Sequence, residues 1–248
     1  MYVIWGIHPV EERLKNSPDL VDRIVLRRGL KGKERDNILR LAGIRAIPID
    51  FQDEKMLAEA AGHSKHQGIV AFLQETGARI LEDILSNPSP SSYGLVLALD
   101  GIVDPQNLGS LIRSGHAAGI QGIVLPRHRA ARITGTVEKT SAGALSYVPV
   151  VTETNLVSAI EALKAAGYWI VGAAPEAKQT IYESDFRTNI ALVIGSESKG
   201  IRPLVKRHCD FLVSVPMYGE VSSLNAAIAG AIILFEIARQ RCSGHADR

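Results

Sequence analysis

The sequence predicts an α/β protein built on a parallel sheet, and three observations carry that expectation. Short continuous apolar runs rich in β-branched residues recur at Leu95 to Leu99, Gly122 to Leu125 and Ile190 to Ile194, and such runs suit strands buried on both faces. Helically patterned segments stand between strands, as Glu153 to Ala166 does before Trp169 to Ala173, which implies crossover connections and helices on both faces of the sheet. Several runs end in polar, glycine-marked loops, at the strand ends where open α/β sheets place their ligands.

The elements follow in order. Tyr2 to Trp5 reads as a strand, Pro9 to Lys15 as a helix with proline in its first turn, and Arg23 to Leu26 as a second strand. Ala46 to Ile49 and Ile69 to Phe72 supply further strands, with Met56 to Ala61 helical between them. The loop His63-Ser-Lys-His66-Gln67-Gly68 carries two histidines three apart, with no cysteine or acidic cluster beside them, and reads as a polar loop rather than a metal site. Arg23, Arg27, Arg28, Lys31, Lys33, Arg35, Arg40 and Arg45 face only Glu34 and Asp36 within one segment. That imbalance is either a positive face for phosphates or an ordinary solvated helix. Ser86-Asn-Pro88-Ser-Pro90-Ser-Ser92 resists both helix and central strand and marks a linker, with Ile80 to Leu85 a short helix inside the connection. The expected division is residues 1–75, a linker over 76–93, and a larger domain over 94–248.

Beyond Leu99 comes the loop Asp100-Gly-Ile-Val-Asp104-Pro105-Gln106-Asn107-Leu-Gly109, then a helix with Leu111, Ile112 and Gly115 facing inward. Arg113 lies in the first turns of that helix, just past a strand end. It meets either an external anion or a carboxylate of the chain, Asp100 or Asp104. Arg127, His128, Arg129 and Arg132 crowd the loop after the next strand, on the side where a ligand crevice is expected. Val148 to Val151 continues the alternation. The last two strands, Ile190 to Ile194 and Phe211 to Val215, end in Gly195-Ser-Glu197-Ser-Lys199-Gly200 and in Pro216-Met217-Tyr-Gly219-Glu-Val-Ser222-Ser223-Leu224-Asn225. Gly195 and Gly200 allow positive φ and close backbone approach to a ligand. Lys199 precedes Gly200 and Ile201 follows it, the wrong order for a phosphate-binding P-loop. Ser222 or Ser223 reads as the N-cap of a helix over Leu224 to Arg241. Ala226, Ala227, Ala229, Gly230 and Ala231 in that helix let another helix approach closely, either a second copy of the chain or a neighbour in one core.

Composition narrows the function classes. With 248 residues and 46% hydrophobic content the chain buries a substantial core, so disorder is not expected. A net charge of +2 confines any nucleic-acid footprint to local patches. Cys209 and Cys242 lack metal-ligand spacing and point to a reducing cytosol. The start meets Pro9, Glu11 and Glu12 too early for a signal peptide, and the apolar run Ala226 to Phe235 is too short to span a bilayer. A cytoplasmic protein with no membrane partner is expected.

Taken together, Asp104-Pro-Gln-Asn107-Leu-Gly109 with Arg113, Gly195-Ser-Glu197-Ser-Lys-Gly200, and Val215-Pro216-Met217-Tyr-Gly219 with Ser222-Ser223-Leu224-Asn225 resemble the three motifs of the SpoU (TrmH-like) RNA ribose 2′-O-methyltransferases of the SPOUT class. Ile4-Trp-Gly6-Ile-His8-Pro9-Val and His66-Gln67-Gly68-Ile-Val resemble the L30e-like RNA-binding domain of the branch that methylates a guanosine ribose in 23S rRNA. The resemblance covers nearly the whole chain. It implies a carboxyl-terminal part threaded as a deep trefoil knot, an obligate homodimer, and S-adenosylmethionine as methyl donor with no metal. Gly195, Val215 and Leu224 would contact that donor through backbone atoms, Ile194, Pro216 and Met217 would line its pocket, and Gly200 belongs to the same loop.

The same resemblance implies the roles of the polar residues. A ribose hydroxyl is a weak nucleophile, so the enzyme must align it with the activated methyl and help remove its proton. The family gives its motif-one arginine, here Arg113, the central role. Because a guanidinium resists deprotonation, Arg113 is expected to grip the phosphate beside the target ribose and favour the developing alkoxide, with proton loss assisted by that phosphate or by water. Asn107 would hold Arg113 or the ribose, and Glu197, Ser223 and Asn225 would orient the substrate. Gly115, where relatives usually carry alanine, is expected to loosen the helix behind Arg113. A transfer RNA substrate, an rRNA adenosine, and a non-catalytic RNA-binding assembly factor are the alternatives. The intact set Asn107, Arg113, Glu197 and Asn225 speaks against the last.

Overall fold

The computed structural model describes residues 2–62, 64–74, 79–221 and 223–242. The chain opens with β1 (Tyr2–Trp5), α1 (Ile7–Asn16), β2 (Val21–Arg27), α2 (Lys33–Ile44), β3 (Ile49–Gln52), α3 (Glu54–Ala61) and β4 (Ile69–Leu73). It continues through α4 (Leu81–Leu85), β5 (Leu95–Asp100), α5 (Pro105–Ala117), β6 (Gly122–Pro126) and α6 (Gly135–Thr140). It closes with β7 (Val150–Glu153), α7 (Leu156–Ala165), β8 (Trp169–Ala173), β9 (Ile190–Gly195), α8 (Pro203–Arg207), β10 (Phe211–Val213) and α9 (Ala226–Cys242). The described residues fall into two compact units, one from 1–77 together with 132–147, the other from 78–131 together with 148–248.

The first unit is a four-stranded mixed sheet in the order β1-β4-β2-β3, antiparallel except for β2 with β3. Ile4, Ile24, Leu26, Ile69 and Ala71 face α1 and α2 across one core, and Trp5, Val25 and Val70 meet Leu57 and Ala61 of α3 across the other. The strand expected at 46–49 runs instead over Ile49–Gln52. Ala46 takes a φ of +52° in the turn that ends α2, and Ile47 N–H bonds back to Ala42, so the chain is still reversing where extension was expected. α6 was not foreseen. It packs in this unit against β1, and Gly135 is obligatory there because a Cβ would stand 1.7 Å from Cζ3 of Trp5. Arg13 and Glu138 form a buried ion pair at 3.0 Å. Burial raises the Glu138 pKa, and the Arg13 charge beside it opposes that rise.

The second unit carries the predicted parallel sheet, six strands in the order β10-β8-β9-β5-β6-β7. Alternate residues serve opposite faces, as the period of two requires. Val96, Ala98, Ala191 and Val193 join Ile84, Ile160, Leu163 and Val205 in a core beneath α4, α7 and α8. On the other face α5 packs on α9, close enough that a Cβ on Gly230 would meet Leu111 Cδ2 at 2.5 Å. Gly230 therefore serves packing within this chain. Gly115 does likewise: α5 runs through it without a break, and Ile120 lies where an alanine methyl would sit.

Candidate active site

Three loops at the carboxyl ends of β5, β9 and β10 converge. Asp104 caps α5, its carboxylate accepting from Gln106 N–H at 3.0 Å with Pro105 at the first helical position. This presents Asn107 from the first turn, where its amide Nδ2 donates to Glu197 Oε1 at 2.6 Å. Asn225 Nδ2 donates to the same Glu197 oxygen and, at 3.1 Å, to Asn107 Oδ1. Its Oδ1 accepts from Ala227 and Ile228 N–H at 2.9 and 3.2 Å. Asn225, rather than Ser222 or Ser223, is thus the N-cap of α9, which begins two residues later than expected. Ser222 lies outside the described residues, and Ser223 is exposed.

Glu197 Oε1 is consequently held by two amide donors, while Oε2 has no partner among the described residues. The loop bearing it is closed on itself, Ser196 and Gly200 exchanging backbone hydrogen bonds of 3.1 and 2.8 Å. A Cβ on Gly195 would lie 2.1 Å from Gly200 C and Ile201 N. The close backbone approach expected of Gly195 is therefore made to its own loop, and the positive φ belongs to Gly200, at +62°. The buried carboxylate of Asp100 anchors the far end of this loop, accepting from Arg202 N–H at 2.8 Å and Nε at 2.6 Å. Asp100 and Asp104 are both otherwise engaged. Neither pairs with Arg113, which is exposed and has no ion pair or hydrogen bond among the described residues. The amide of Asn107 goes to Glu197, not to Arg113.

Beside this network lie two adjoining hollows of about 290 and 70 Å³. Ile194, Gly195, Gly200 and Leu224 line the larger, and Val215, Met217 and Leu224 the smaller. Glu197 and Ser223 also reach the larger hollow, which joins it to the amide network. Pro216, expected in the same lining, borders neither. Ala173, Ala174 and Pro175 border both, and the ion pair of Lys206 with Glu176 borders the larger. The hydrogen bond from Lys206 holds the Glu176 carboxyl below its usual range. These wall residues were missed, although Trp169 to Ala173 was read as a strand. The strand-end rule applied to this fourth loop, after β8, would have found them.

The two basic segments fare differently. In the first unit Arg27 pairs with Glu54 at 3.1 Å, Arg35 with Asp36 at 3.0 Å, and Arg23 lies over the Phe72 ring at 4.3 Å. Arg28 donates to Phe51 O, while Lys31 and Lys33 at the start of α2 are exposed. His66 is buried, its Nδ1 accepting from Gly68 N–H, and His63 lies outside the described residues. No group of three metal-binding side chains occurs among the described residues, and no helix there is long and apolar enough to cross a membrane. In the second unit Arg127, His128 and Arg129 are exposed, whereas Arg132 belongs to the first unit.

Residues 94–235 match the SpoU rRNA Methylase family, and residues 3–78 match the family described as RNA 2′-O ribose methyltransferase substrate binding. The chain belongs to the SpoU rRNA methylase family. It is 40% identical to the 23S rRNA (guanosine-2′-O-)-methyltransferase RlmB of Pseudomonas aeruginosa over 241 residues, covering 96% of each chain. Its identity to RlmB of Escherichia coli K12 is 36% over 240 residues, 96% of this chain and 98% of that one. Among solved structures, the SpoU methyltransferase AviRb from Streptomyces viridochromogenes in complex with AdoMet superposes with a TM-score of 0.81 at 29% identity, covering 98% of this chain and 91% of that one. The SpoU match spans the three converging loops, all the residues named in the amide network and both hollows.

Proposed function

We propose that this protein transfers a methyl group from S-adenosylmethionine to the ribose 2′-hydroxyl of a guanosine in 23S rRNA. The observation that carries the reading is Glu197, held through Oε1 by Asn107 and Asn225 at the edge of a hollow, with Oε2 left for a substrate. The near full-length similarity to RlmB supports the choice of RNA and of nucleotide.

The hollows suit the methyl donor. Their combined extent reaches the lower range of small-molecule sites, and the walls are chiefly apolar, with backbone of Gly195 and Gly200 at the surface. When bound, S-adenosylmethionine supplies a methyl already activated by its sulfonium. Ile194, Gly195, Gly200, Val215, Met217 and Leu224 would hold it, with Pro216 stiffening the loop that carries Met217. Glu197 Oε2 accepts the hydrogen bond of the 2′-hydroxyl and orients it, while the two amides keep the carboxylate from rotating away. Arg113 stays a cation, so its part is to hold the neighbouring phosphate and stabilise the developing alkoxide. Proton loss then passes to that phosphate or to water. Ser223 donates to the ribose from the rim.

The assembly belongs to the same proposal. Residues 1–75 would be an L30e-like RNA-binding domain, with Lys31 and Lys33 free for phosphates, followed by a linker over 76–93 and a methyltransferase domain over 94–248, although α4 of that linker packs in the second unit and residues 132–147 pack in the first. A trefoil knot is supported by the strand order: β10 lies at one edge beside β8, yet the chain returns to pack α9 on β9 and α5. Ile228 and Phe235, seven residues apart on α9 and each about half exposed, with Ile232 between them, supply an apolar stripe for a second copy of the chain. Cys209 and Cys242 are both free thiols, which suits the cytoplasm.

The test is transfer of labelled methyl from S-adenosylmethionine to 23S rRNA lacking its native ribose methylations, beside Arg113→Ala. One alkali-resistant guanosine linkage, lost in the variant, is expected. RNA that binds but is never labelled would sink the reading.

A further inference from the structure

We propose that the β6 loop, through Arg129, is a second RNA-phosphate clamp on the catalytic unit, separate from the methyl-donor site. This rests on the RNA-methylating function proposed above. Arg129 adopts a φ of +59°, a left-handed conformation that glycine or asparagine fills more cheaply than arginine. A costly backbone at an exposed position points to a use for the side chain.

The loop is pinned at both ends. Arg127 N–H donates to Glu153 O at 2.7 Å, and Ala131 N–H donates to Ile102 O at 2.8 Å. The second bond ties it to the first SpoU motif loop. Gly101, φ +84°, marks where three loops meet: a Cβ there would stand 3.9 Å from Arg129 O and 3.7 Å from Ser196 Cβ in the second motif loop. The strained residue therefore sits one loop away from Glu197.

Its charge has no internal use. Arg127, His128 and Arg129 are exposed, and no ion pair or hydrogen bond of their side chains occurs among the described residues. None of residues 127–131 lines either hollow, whose cations are Lys199 and Lys206. The loop is thus positioned for the other substrate. The repeating anion of that substrate is the phosphodiester, for which an arginine fork is well shaped.

Strain and charge are told apart by two variants. Arg129→Gly relieves the backbone and removes the cation, while Arg129→Lys keeps the charge and the strain. Binding of each to 23S rRNA transcript would be followed against salt concentration, with KM and kcat for methyl transfer, calorimetric affinity for S-adenosylmethionine, and melting temperature. For Arg129→Gly the melting temperature holds or rises and the affinity for S-adenosylmethionine is unchanged. KM for RNA rises several-fold, and the slope of log K against log salt shrinks by about 1, the loss of one phosphate contact. Arg129→Lys keeps the wild-type slope. An Arg129→Gly enzyme with wild-type KM and slope overturns the clamp. Wild-type enzyme that binds the transcript with the steeper slope but never methylates it overturns the catalytic reading and leaves the clamp standing.

Discussion

Asn107 and Glu197 meet at 2.6 Å although ninety residues separate them in the chain, and Asn225 closes the triangle while capping α9. One side chain thus fixes a helix terminus and the Glu197 carboxylate together.

Asn225→Asp separates those two duties. Aspartate caps as well as asparagine, so the melting temperature should change little, whereas Asn225→Ala should cost about 1 kcal/mol of stability. Aspartate also sets a second carboxylate against Glu197. Methyl transfer should fall at least tenfold, because two like charges cannot share the place that one carboxylate and one amide now fill. Wild-type turnover in Asn225→Asp would remove the contact of Asn225 with Glu197 from the catalytic reading.

Gly195→Ala forces a methyl into the backbone of Gly200 and Ile201, with no flexible side chain to move aside. The β9 loop must open, at a cost on the order of 1–3 kcal/mol. Calorimetry should show affinity for S-adenosylmethionine lowered by tenfold or more. Gly43→Ala, in α2 of the first unit and with nothing within 4 Å of the added Cβ, is the control and should leave it unchanged.

Glu138→Ala strands the Arg13 guanidinium in the first unit, and a buried charge without its partner costs roughly 3–5 kcal/mol. Arg13→Met with Glu138→Leu should recover most of that loss. Urea unfolding of wild type, the single and the double variant checks both steps.

Cys209 should alkylate far more slowly than Cys242. Burial, with the Asp210 carboxylate adding to it, pushes the Cys209 thiol up to about 11, and Cys242 is exposed. At pH 8 only about one Cys209 in a thousand is thiolate, so iodoacetamide followed by mass spectrometry should mark Cys242 first. Equal rates at the two sites would contradict the burial.

Some of this protein was legible in the sequence because it is local. Apolar runs from Leu95 and Ile190 stated their strands, since a strand covered on both faces needs little besides length and β-branching. The strand over Trp169–Ala173 was read to the residue, and the alternation of elements implied the parallel sheet. Asn107, Glu197 and Asn225 were singled out because the three loops that carry them resemble the SpoU motifs.

What sequence could not decide is long-range. That Asp100 is spent on Arg202, leaving Arg113 free, depends on which loop folds over which strand end. That Gly195 is glycine because of Gly200, Gly135 because of Trp5, and Gly230 because of Leu111 are facts about surfaces meeting, and no local pattern encodes them. The segment 132–147 leaves the parallel-sheet unit after β6 and packs with the other, where Glu138 finds Arg13 across 125 residues of chain. Sequence determines which residues are able to act, through propensity and chemistry. Tertiary packing decides which of them are left free to do so, because each buried donor or acceptor must first find a partner.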